Sequence, residues 1–187
     1  MGRVGWRDGV FGVILGGLGW NCGDLGVNGN TLILGGSSDM VGAPMLAAEA
    51  AVHSGAGKVT LGVPEAIKGV VQGRIIPEVM VTSINENHAL YEGRQAVAIG
   101  PGLGRTTDIP NLVNHVIDCY EGALVIDADA LYALGHVGVV DKDALRDGKV
   151  ESIYKMKRHL PYCVMTPHLG EFSRLIDLPI KWIERHY

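Results

Sequence analysis

Five short runs of largely apolar residues place the strongest constraint on the fold of this chain. Apolar and polar residues do not alternate within them, and they occupy residues 31–34, 58–63, 95–99, 123–126 and 162–165. Because strands that are apolar on both sides are buried on both faces, such runs are typical of a parallel sheet covered by helices. The sequence therefore predicts a three-layer α/β fold with a mainly parallel, doubly wound sheet.

Helices are predicted between and after these strands, and glycines follow the two clearest of them. The predicted helices cover residues 43–53, 109–120, 129–134, 149–159, 171–176 and 180–186, and a further strand is predicted near residues 79–82. No repeat or linker divides the chain, so we expect a single domain over residues 1–187. The last helix has no stop signal, so we expect this domain to be truncated at its C-terminus, with residues 1–21 as an atypical N-terminal extension.

Composition narrows the classes of function. The chain has 187 residues, 47% of them hydrophobic, and a formal net charge of −4. Because there is no Lys/Arg cluster, neither nucleic acid nor a membrane is an expected partner, and a soluble enzyme is favoured. The apolar segment at residues 10–20 is also shorter than the roughly 20 residues that span a bilayer. Cys22, Cys119 and Cys163 lack C-x-x-C spacing, so we expect no zinc site or disulfide framework and a reducing, cytoplasmic location.

The loops after the strands are the expected place for a ligand, because small molecules bind beyond the carboxyl ends of parallel strands. The loop at residues 35–44 consists mainly of small residues ahead of a helix. It could bind an anion through backbone N–H groups, or it could be a tight turn with positive φ and a Ser or Asp helix cap. The loop at residues 100–104 matches neither the dinucleotide-binding motif nor the phosphate-loop motif. The sequence pattern leaves both roles of the first loop open.

Ionisable side chains follow the last two strands. Asp127 and Asp129 come after the fourth run, where carboxylates could hold magnesium or order a hydroxyl, although capping the next helix is the favoured role for Asp129. Glu171 is placed in a first helical turn after the fifth run, and capping is favoured there too. The role of His168, beside Pro167, stays open between a structural one and that of a hydrogen-bond donor or acid–base group.

Five motifs in the same order strongly resemble those of the NAD(P)H-hydrate dehydratase family. They are Gly35-Gly36-Ser37 with Gly42-Ala43-Pro44, Gly55-Ala56-Gly57-Lys58-Val59-Thr60, Gly100-Pro101-Gly102-Leu103-Gly104, Asp127-Ala128-Asp129-Ala130-Leu131 and Thr166-Pro167-His168-Leu169-Gly170-Glu171-Phe172. The resemblance runs from about residue 22 to the end of the chain. It implies a ribokinase-like fold, which agrees with the parallel α/β fold predicted from the strands.

The resemblance implies a lyase that repairs damaged nicotinamide coenzymes. With ADP or ATP and Mg²⁺, the hydroxyl of hydrated NADH or NADPH is phosphorylated, and loss of phosphate regenerates the coenzyme. The residues implied to contact this substrate or shape its pocket are Ala43, Gly102, Gly104, His168, Leu169, Gly170, Glu171, Phe172, Ser173 and Arg174. A homo-oligomer is also implied.

The position of the catalytic residues in the family limits what this chain is expected to do. The family's nucleotide-binding strands, Lys-Gly loop and Gly-Thr-Gly-Asp helix start, which supplies the catalytic aspartate, would follow Tyr187. We therefore expect the chain to supply mainly the substrate-binding side of a dehydratase. Two alternatives stay open: a ribokinase-like kinase of a small vitamin precursor, which would form a phosphorylated product without elimination, and a non-catalytic dinucleotide-binding fragment.

Overall fold

The computed structural model of the chain describes residues 29–84, 90–137 and 162–186, in which strands and helices alternate. In chain order the elements are β1 (Asn30–Leu34), α1 (Gly42–His53), β2 (Lys58–Val63), α2 (Glu65–Gln72), β3 (Val79–Ser83), β4 (Ala96–Ile99), α3 (Ile109–Cys119), β5 (Ala123–Ile126), α4 (Asp129–Val137), β6 (Cys163–Met165), α5 (Leu169–Ile176) and α6 (Ile180–His186). The predicted strands are confirmed, with most ends within one or two residues of the prediction.

All the strands of the described residues lie in one parallel sheet, in the order β3-β2-β1-β4-β5-β6. In its register, Leu32 of the central strand β1 lies beside Thr60 of β2 and Val97 of β4. The chain moves outward from β1 to β3 and then returns to β4 on the other side, so the strand order reverses between β1 and β4. The loops that leave β1 and β4 therefore flank the crevice in which ligands bind in such sheets.

Helices cover both faces of the sheet, which confirms the predicted three layers. Leu32 and Leu34 belong to the core cluster that contains residues of α3, α4, α5 and α6. Ile33 points to the other face and packs in a cluster with residues of α1 and α2. All three side chains are fully buried, as expected for a strand that is covered on both faces.

Helix α2 is the main element that the sequence pattern did not predict. Pro64, interpreted only as the end of a strand, is the N-cap residue of this helix, and Ile67 and Val71 are buried against the sheet. Their packing outweighs the low helix propensity of Gly69. The predicted helix at residues 149–159 and the extension at residues 1–21 lie outside the described residues. Within the described ranges, none of the helices has the length and apolar character needed to cross a membrane.

A polar cluster connects β1, β2 and β4 at the edge where the strands begin. The Arg94 guanidinium donates hydrogen bonds to the Thr60 hydroxyl, at 2.8 Å, and to the side-chain oxygen of Asn30. The Tyr120 hydroxyl donates to the Arg94 carbonyl oxygen at 3.2 Å. Burial raises the pKa of Tyr120 to about 12 and lowers the pKa of Arg94. This edge of the sheet, opposite the ligand crevice, is therefore fixed by hydrogen bonds.

Replacing Tyr120 by phenylalanine tests this cluster. At neutral pH we expect the substitution to lower the free energy of unfolding by about 1 kcal/mol, because the hydrogen bond to the Arg94 carbonyl is lost. The phenol has a pKa of 10.0 in the unfolded chain and about 12 in the fold, so the wild-type protein loses stability as the pH rises through this interval. Since the variant lacks the phenol, the difference in free energy of unfolding between wild type and variant should become smaller between pH 10.0 and about 12. Urea unfolding of both proteins across this pH range checks the prediction, and a constant difference would contradict it.

Candidate active site

Glycines bring the loops after β1 and β4 into direct backbone contact. The Gly36 N–H donates a hydrogen bond to the Pro101 carbonyl oxygen at 2.9 Å. A Cβ atom on Gly35 would lie 2.4 Å from the same oxygen, so only glycine fits there. This contact lies at the point where the strand order reverses, and it positions the two loops that flank the crevice.

The loop after β5 joins the same edge through Gly100. This residue has a φ of +134°, and a Cβ atom on it would lie 1.7 Å from the Asp127 carbonyl oxygen. The next residue of the β5 loop, Ala128, has a φ of +49°, which alanine rarely adopts. The loops after β1, β4 and β5 therefore form one closely packed surface.

Ala43, Gly102 and Gly104, which the resemblance places at the substrate, lie together on this surface. A Cβ atom on Gly102 would lie 3.4 Å from the Ala43 Cβ atom and 2.9 Å from the Met40 carbonyl oxygen. A Cβ atom on Gly104 would lie 3.6 Å from the Ser37 Cβ atom. Gly102 and Gly104 have φ values of +69° and +79°. Glycine is therefore needed for both conformations. Gly102 is buried against Met40 and Ala43, whereas Gly104 is partly exposed, so its backbone is accessible to a ligand.

The loop at residues 35–44 has the geometry of a tight turn. Gly36 has a φ of +88°, and Ser37 and Met40 exchange backbone hydrogen bonds of 3.4 and 3.2 Å. The Ser or Asp cap that belonged to this alternative is not formed, because Val41 is the N-cap residue of α1 and makes no side-chain capping hydrogen bond. Anion binding by this loop stays a prediction.

Asp129 connects the Gly104 loop to α4. Its carboxylate accepts a hydrogen bond from the Gly104 N–H at 2.9 Å and lies 3.6 Å from the Arg105 Nε atom. The favoured capping role is wrong, because Asp129 is itself the first residue of α4 and its carboxylate binds a distant loop. The Arg105 guanidinium also lies over the Tyr132 ring, with its central carbon 4.5 Å from the ring centre. Asp129 thus fixes the Gly104 loop.

A magnesium site at Asp127 and Asp129 stays a prediction. Among the described residues, His, Cys, Asp and Glu side chains form no group of three or more that could hold a metal ion. The Asp129 carboxylate already binds the Gly104 N–H and pairs with Arg105, and Asp127 is half-buried at the end of β5.

Substituting Ala128 by glycine tests the left-handed backbone in the β5 loop. This conformation costs a residue with a side chain roughly 1–2 kcal/mol, and glycine avoids this cost. Glycine also makes the unfolded chain more flexible, which removes roughly 0.5–1 kcal/mol of the stability gained. We therefore expect the variant to be more stable by about 0.5–1 kcal/mol. Thermal unfolding measures the difference, with Ala128→Val as a destabilised control. A glycine variant that melts below the wild-type protein would contradict the assignment.

His168 is the N-cap residue of α5. Its Nδ1 atom accepts hydrogen bonds from the Gly170 N–H at 3.0 Å and the Glu171 N–H at 3.4 Å, while the Glu171 carboxylate accepts one from the His168 N–H at 3.0 Å. This capping box confirms the role favoured for Glu171. Because Nδ1 is an acceptor, the neutral ring carries its proton on Nε2, which lies 3.3 Å from the Glu171 carboxylate. The His168 side chain is 64% exposed, so it can still reach a ligand.

The residues after His168 have different surroundings. Phe172 packs against the core, and the Ser173 hydroxyl donates a hydrogen bond to the Leu178 carbonyl oxygen at 2.6 Å. Leu169 and Arg174 are exposed at the surface. The structure therefore separates residues that hold α5 in place from residues that a ligand can reach.

Two clefts of about 310 Å³ each adjoin these residues and share Tyr132. The first, which we term the Gly104 cleft, is lined by residues 104–107, 109–110, 129 and 132–133. The second, the Glu171 cleft, is lined by residues 131–132, 135, 171, 174–175 and 177. Together they connect the Gly104 loop with α5. Arg105 and Tyr132 are not among the residues that the sequence motifs indicated, although Arg105 directly follows Gly104 and Tyr132 lies one helical turn after Asp129.

Comparison with solved structures identifies the class of fold. The chain superposes on a ribokinase-like superfamily protein from Enterococcus faecalis with a TM-score of 0.70 and 25% sequence identity, over 91% of this chain and 57% of that chain. The parallel sheet and its covering helices are therefore ribokinase-like, as the sequence motifs implied.

The family model of NAD(P)H-hydrate dehydratase matches residues 31–186, and the chain belongs to this family. The bifunctional NAD(P)H-hydrate repair enzyme Nnr of Dictyoglomus turgidum is 33% identical over 174 residues, which is 86% of this chain and 30% of that protein. The ADP-dependent (S)-NAD(P)H-hydrate dehydratase of Bacillus subtilis is 31% identical over 166 residues, which is 86% of this chain and 51% of that protein.

A solved structure adds to these sequence matches. The ADP/ATP-dependent NAD(P)H-hydrate dehydratase from Bacillus subtilis, co-crystallized with ATP/Mg²⁺, superposes with a TM-score of 0.69 and 27% identity, over 97% of this chain and 58% of that chain. The chain thus spans about half the length of these dehydratases, and less of the bifunctional relative.

Proposed function

We propose that this chain binds hydrated NADH or NADPH as the substrate-binding side of an ADP- or ATP-dependent NAD(P)H-hydrate dehydratase, a lyase. The observation that supports this most is the convergence of Ala43, Gly102 and Gly104 where the strand order of the sheet reverses. Membership of the NAD(P)H-hydrate dehydratase family supports the choice of substrate.

The glycine loop after β4 is suited to a planar ring. Gly104 is partly exposed and places no Cβ atom on the surface, so a ring can approach its backbone closely. Gly102 is buried and lets the loop pack against Ala43. The Gly104 N–H is already bound to Asp129, so the loop offers its carbonyl oxygen and Cα surface to the ligand. Because the Asp129 hydrogen bond holds the loop in place, little ordering is needed when the substrate binds.

The start of α5 provides the polar part of the proposed site. The capping box orients the His168 ring, whose side chain is 64% exposed. Its Nε2–H faces the Glu171 carboxylate at 3.3 Å and would exchange this contact for a hydroxyl or amide oxygen of the substrate. Gly170, Glu171 and the exposed residues Leu169 and Arg174 complete this surface. Phe172 and Ser173 would act by holding α5 against the core.

The proposed reaction needs a phosphoryl donor. ADP or ATP with Mg²⁺ would transfer a phosphoryl group to the ring hydroxyl of the hydrate. Cleavage of the carbon–oxygen bond and loss of a proton from the neighbouring ring carbon would then release phosphate and restore the double bond. The names of the Bacillus subtilis relatives, ADP-dependent in one case and co-crystallized with ATP/Mg²⁺ in the other, support both donors. The homo-oligomer and the cytoplasmic location stay predictions.

Calorimetric titration of the 187-residue chain with hydrated NADPH tests the proposal. We expect saturable binding of the hydrate, with weaker binding of intact NADPH as the matched control, because the added hydroxyl distinguishes the two ligands. Absence of binding for both hydrated NADH and hydrated NADPH at ligand concentrations up to about 1 mM would contradict the substrate assignment.

The reaction products distinguish the dehydratase from the kinase alternative. In a protein that also carries the phosphoryl-donor side, release of reduced coenzyme in the presence of ADP or ATP and Mg²⁺, followed by its absorbance, would support dehydration. A phosphorylated product that accumulates without reduced coenzyme would instead support a small-molecule kinase, which the comparisons do not favour.

A further inference from the structure

We propose that the Gly104 cleft binds a phosphate group of the dinucleotide through Arg105, with the Tyr132 ring as a flat contact surface beside it. The inference rests on the proposed function and deepens it, because it assigns the half of the ligand that does not react. It makes Arg105 a substrate-binding residue outside the set that the sequence motifs implied.

The position and size of the cleft fit one part of a dinucleotide. Gly104 belongs both to the proposed ring-binding surface and to the cleft lining, so a single ligand can contact both. The cleft volume of about 310 Å³ is at the lower end of the roughly 300–1,000 Å³ found for small-molecule pockets. A ligand whose ring lies at Gly104 must place its remaining groups on a neighbouring surface, and this cleft adjoins that position.

The Arg105 side chain retains donors for a ligand. It is 57% exposed, whereas the side chain of its partner Asp129 is only 14% exposed. Their atoms are 3.6 Å apart, which is an ion pair longer than a hydrogen bond. The Asp129 carboxylate also accepts the Gly104 N–H, so part of its charge is already compensated. Among the contacts of the described residues, the Arg105 guanidinium makes the ion pair and the ring contact but no hydrogen bond.

The surroundings of Arg105 match a phosphate rather than an apolar ligand. A planar guanidinium presents N–H groups in a fork that binds two phosphate oxygens, and its contact with the Tyr132 ring limits its motion. Thr106 and Thr107 add hydroxyl groups to the lining. The dinucleotide supplies phosphates from two sources, the pyrophosphate bridge of both coenzymes and the 2′-phosphate of NADPH.

Substitutions of Arg105 test the inference by calorimetry with hydrated NADH and hydrated NADPH. We expect Arg105→Ala to weaken binding about tenfold, because a hydrogen bond to a charged group is lost. Arg105→Lys keeps the positive charge but lacks the forked guanidinium, so its affinity should lie between those of wild type and Arg105→Ala. The matched control is Arg74→Ala, because Arg74 is an exposed arginine between α2 and the edge strand β3. The affinity of the Arg74→Ala variant should equal that of wild type.

The two ligands identify the phosphate that Arg105 contacts. Weaker binding of both hydrates would assign the pyrophosphate, and weaker binding of hydrated NADPH alone would assign the 2′-phosphate; both results support the inference. The wild-type affinity should also fall more steeply with salt than that of Arg105→Ala, because the lost contact is ionic.

Two results would overturn the phosphate contact. The first is that wild type, Arg105→Ala and Arg74→Ala all bind the hydrates with the same affinity. This result would leave the proposed function intact. The second is weaker binding by Arg105→Ala with an unchanged salt dependence and no recovery in Arg105→Lys, since Arg105 would then act only by holding Asp129. A wild-type protein that binds neither hydrate contradicts the proposed function as well.

Discussion

Gly100→Ala is expected to lower the free energy of unfolding by more than about 4 kcal/mol. The new Cβ atom would lie 1.7 Å from the Asp127 carbonyl oxygen, and this neighbour is backbone that cannot rotate away. The φ of +134° adds strain for any residue with a side chain. A loss of more than about 4 kcal/mol is most of the stability of a domain at the low end of the usual range of about 5–15 kcal/mol. Circular dichroism and chemical denaturation measure the loss.

Gly55→Ala is the matched control for this prediction. Gly55 also has positive φ, +92°, but a Cβ atom on it would have no neighbour within 4 Å. It should therefore show only the backbone strain, about 1–2 kcal/mol. If the two variants were equally stable, the close packing of the β4 and β5 loops, and with it the geometry of the candidate site, would be wrong.

His168→Asn is expected to weaken binding of hydrated NADPH by about tenfold while leaving the fold as stable as wild type. Asparagine is a preferred N-cap residue, so its side-chain oxygen can accept the N–H groups that the imidazole Nδ1 accepts. It cannot place a donor where the Nε2–H lies. The capping and ligand-binding roles of His168 are therefore separated by one substitution, followed by calorimetry and thermal unfolding.

Two further variants complete this test. His168→Ala should lose both roles, with weaker binding and a free energy of unfolding lower by about 1 kcal/mol. His53→Asn, an exposed histidine at the end of α1, should change neither property. Wild-type affinity in His168→Asn would show that the imidazole only caps α5 and does not contact the substrate.

The strands could be predicted because their signal lies in the strand itself. Leu32, Ile33 and Leu34 are consecutive apolar residues, and burial on both faces is the arrangement that this pattern favours. Helix α2 could not be predicted in the same way, because Pro64 and Gly69 are usually read as interruptions. The helix forms because Ile67 and Val71 are buried against a sheet whose other strands are distant in the sequence.

The candidate site was predictable in part for the same reason. The glycines at 102 and 104 could be identified from their motif, and the structure brings them next to Ala43. The partner of Asp129 could not be identified, since the Gly104 N–H lies in another loop and comes close only when β4 and β5 pair. The capping role of His168 was missed because histidine is not among the usual N-cap residues, although Glu171 three residues later was a readable sign of a capping box.

The most direct test of the account is a crystal structure of this chain with hydrated NADPH. We expect the hydrated ring to lie against Ala43 and Gly104, on the wall that the buried Gly102 shapes, with the His168 ring within hydrogen-bonding distance of the ligand. A ring bound elsewhere, such as the edge near Arg94 where the strands begin, would contradict the proposal that the loops after β1 and β4 form the substrate site.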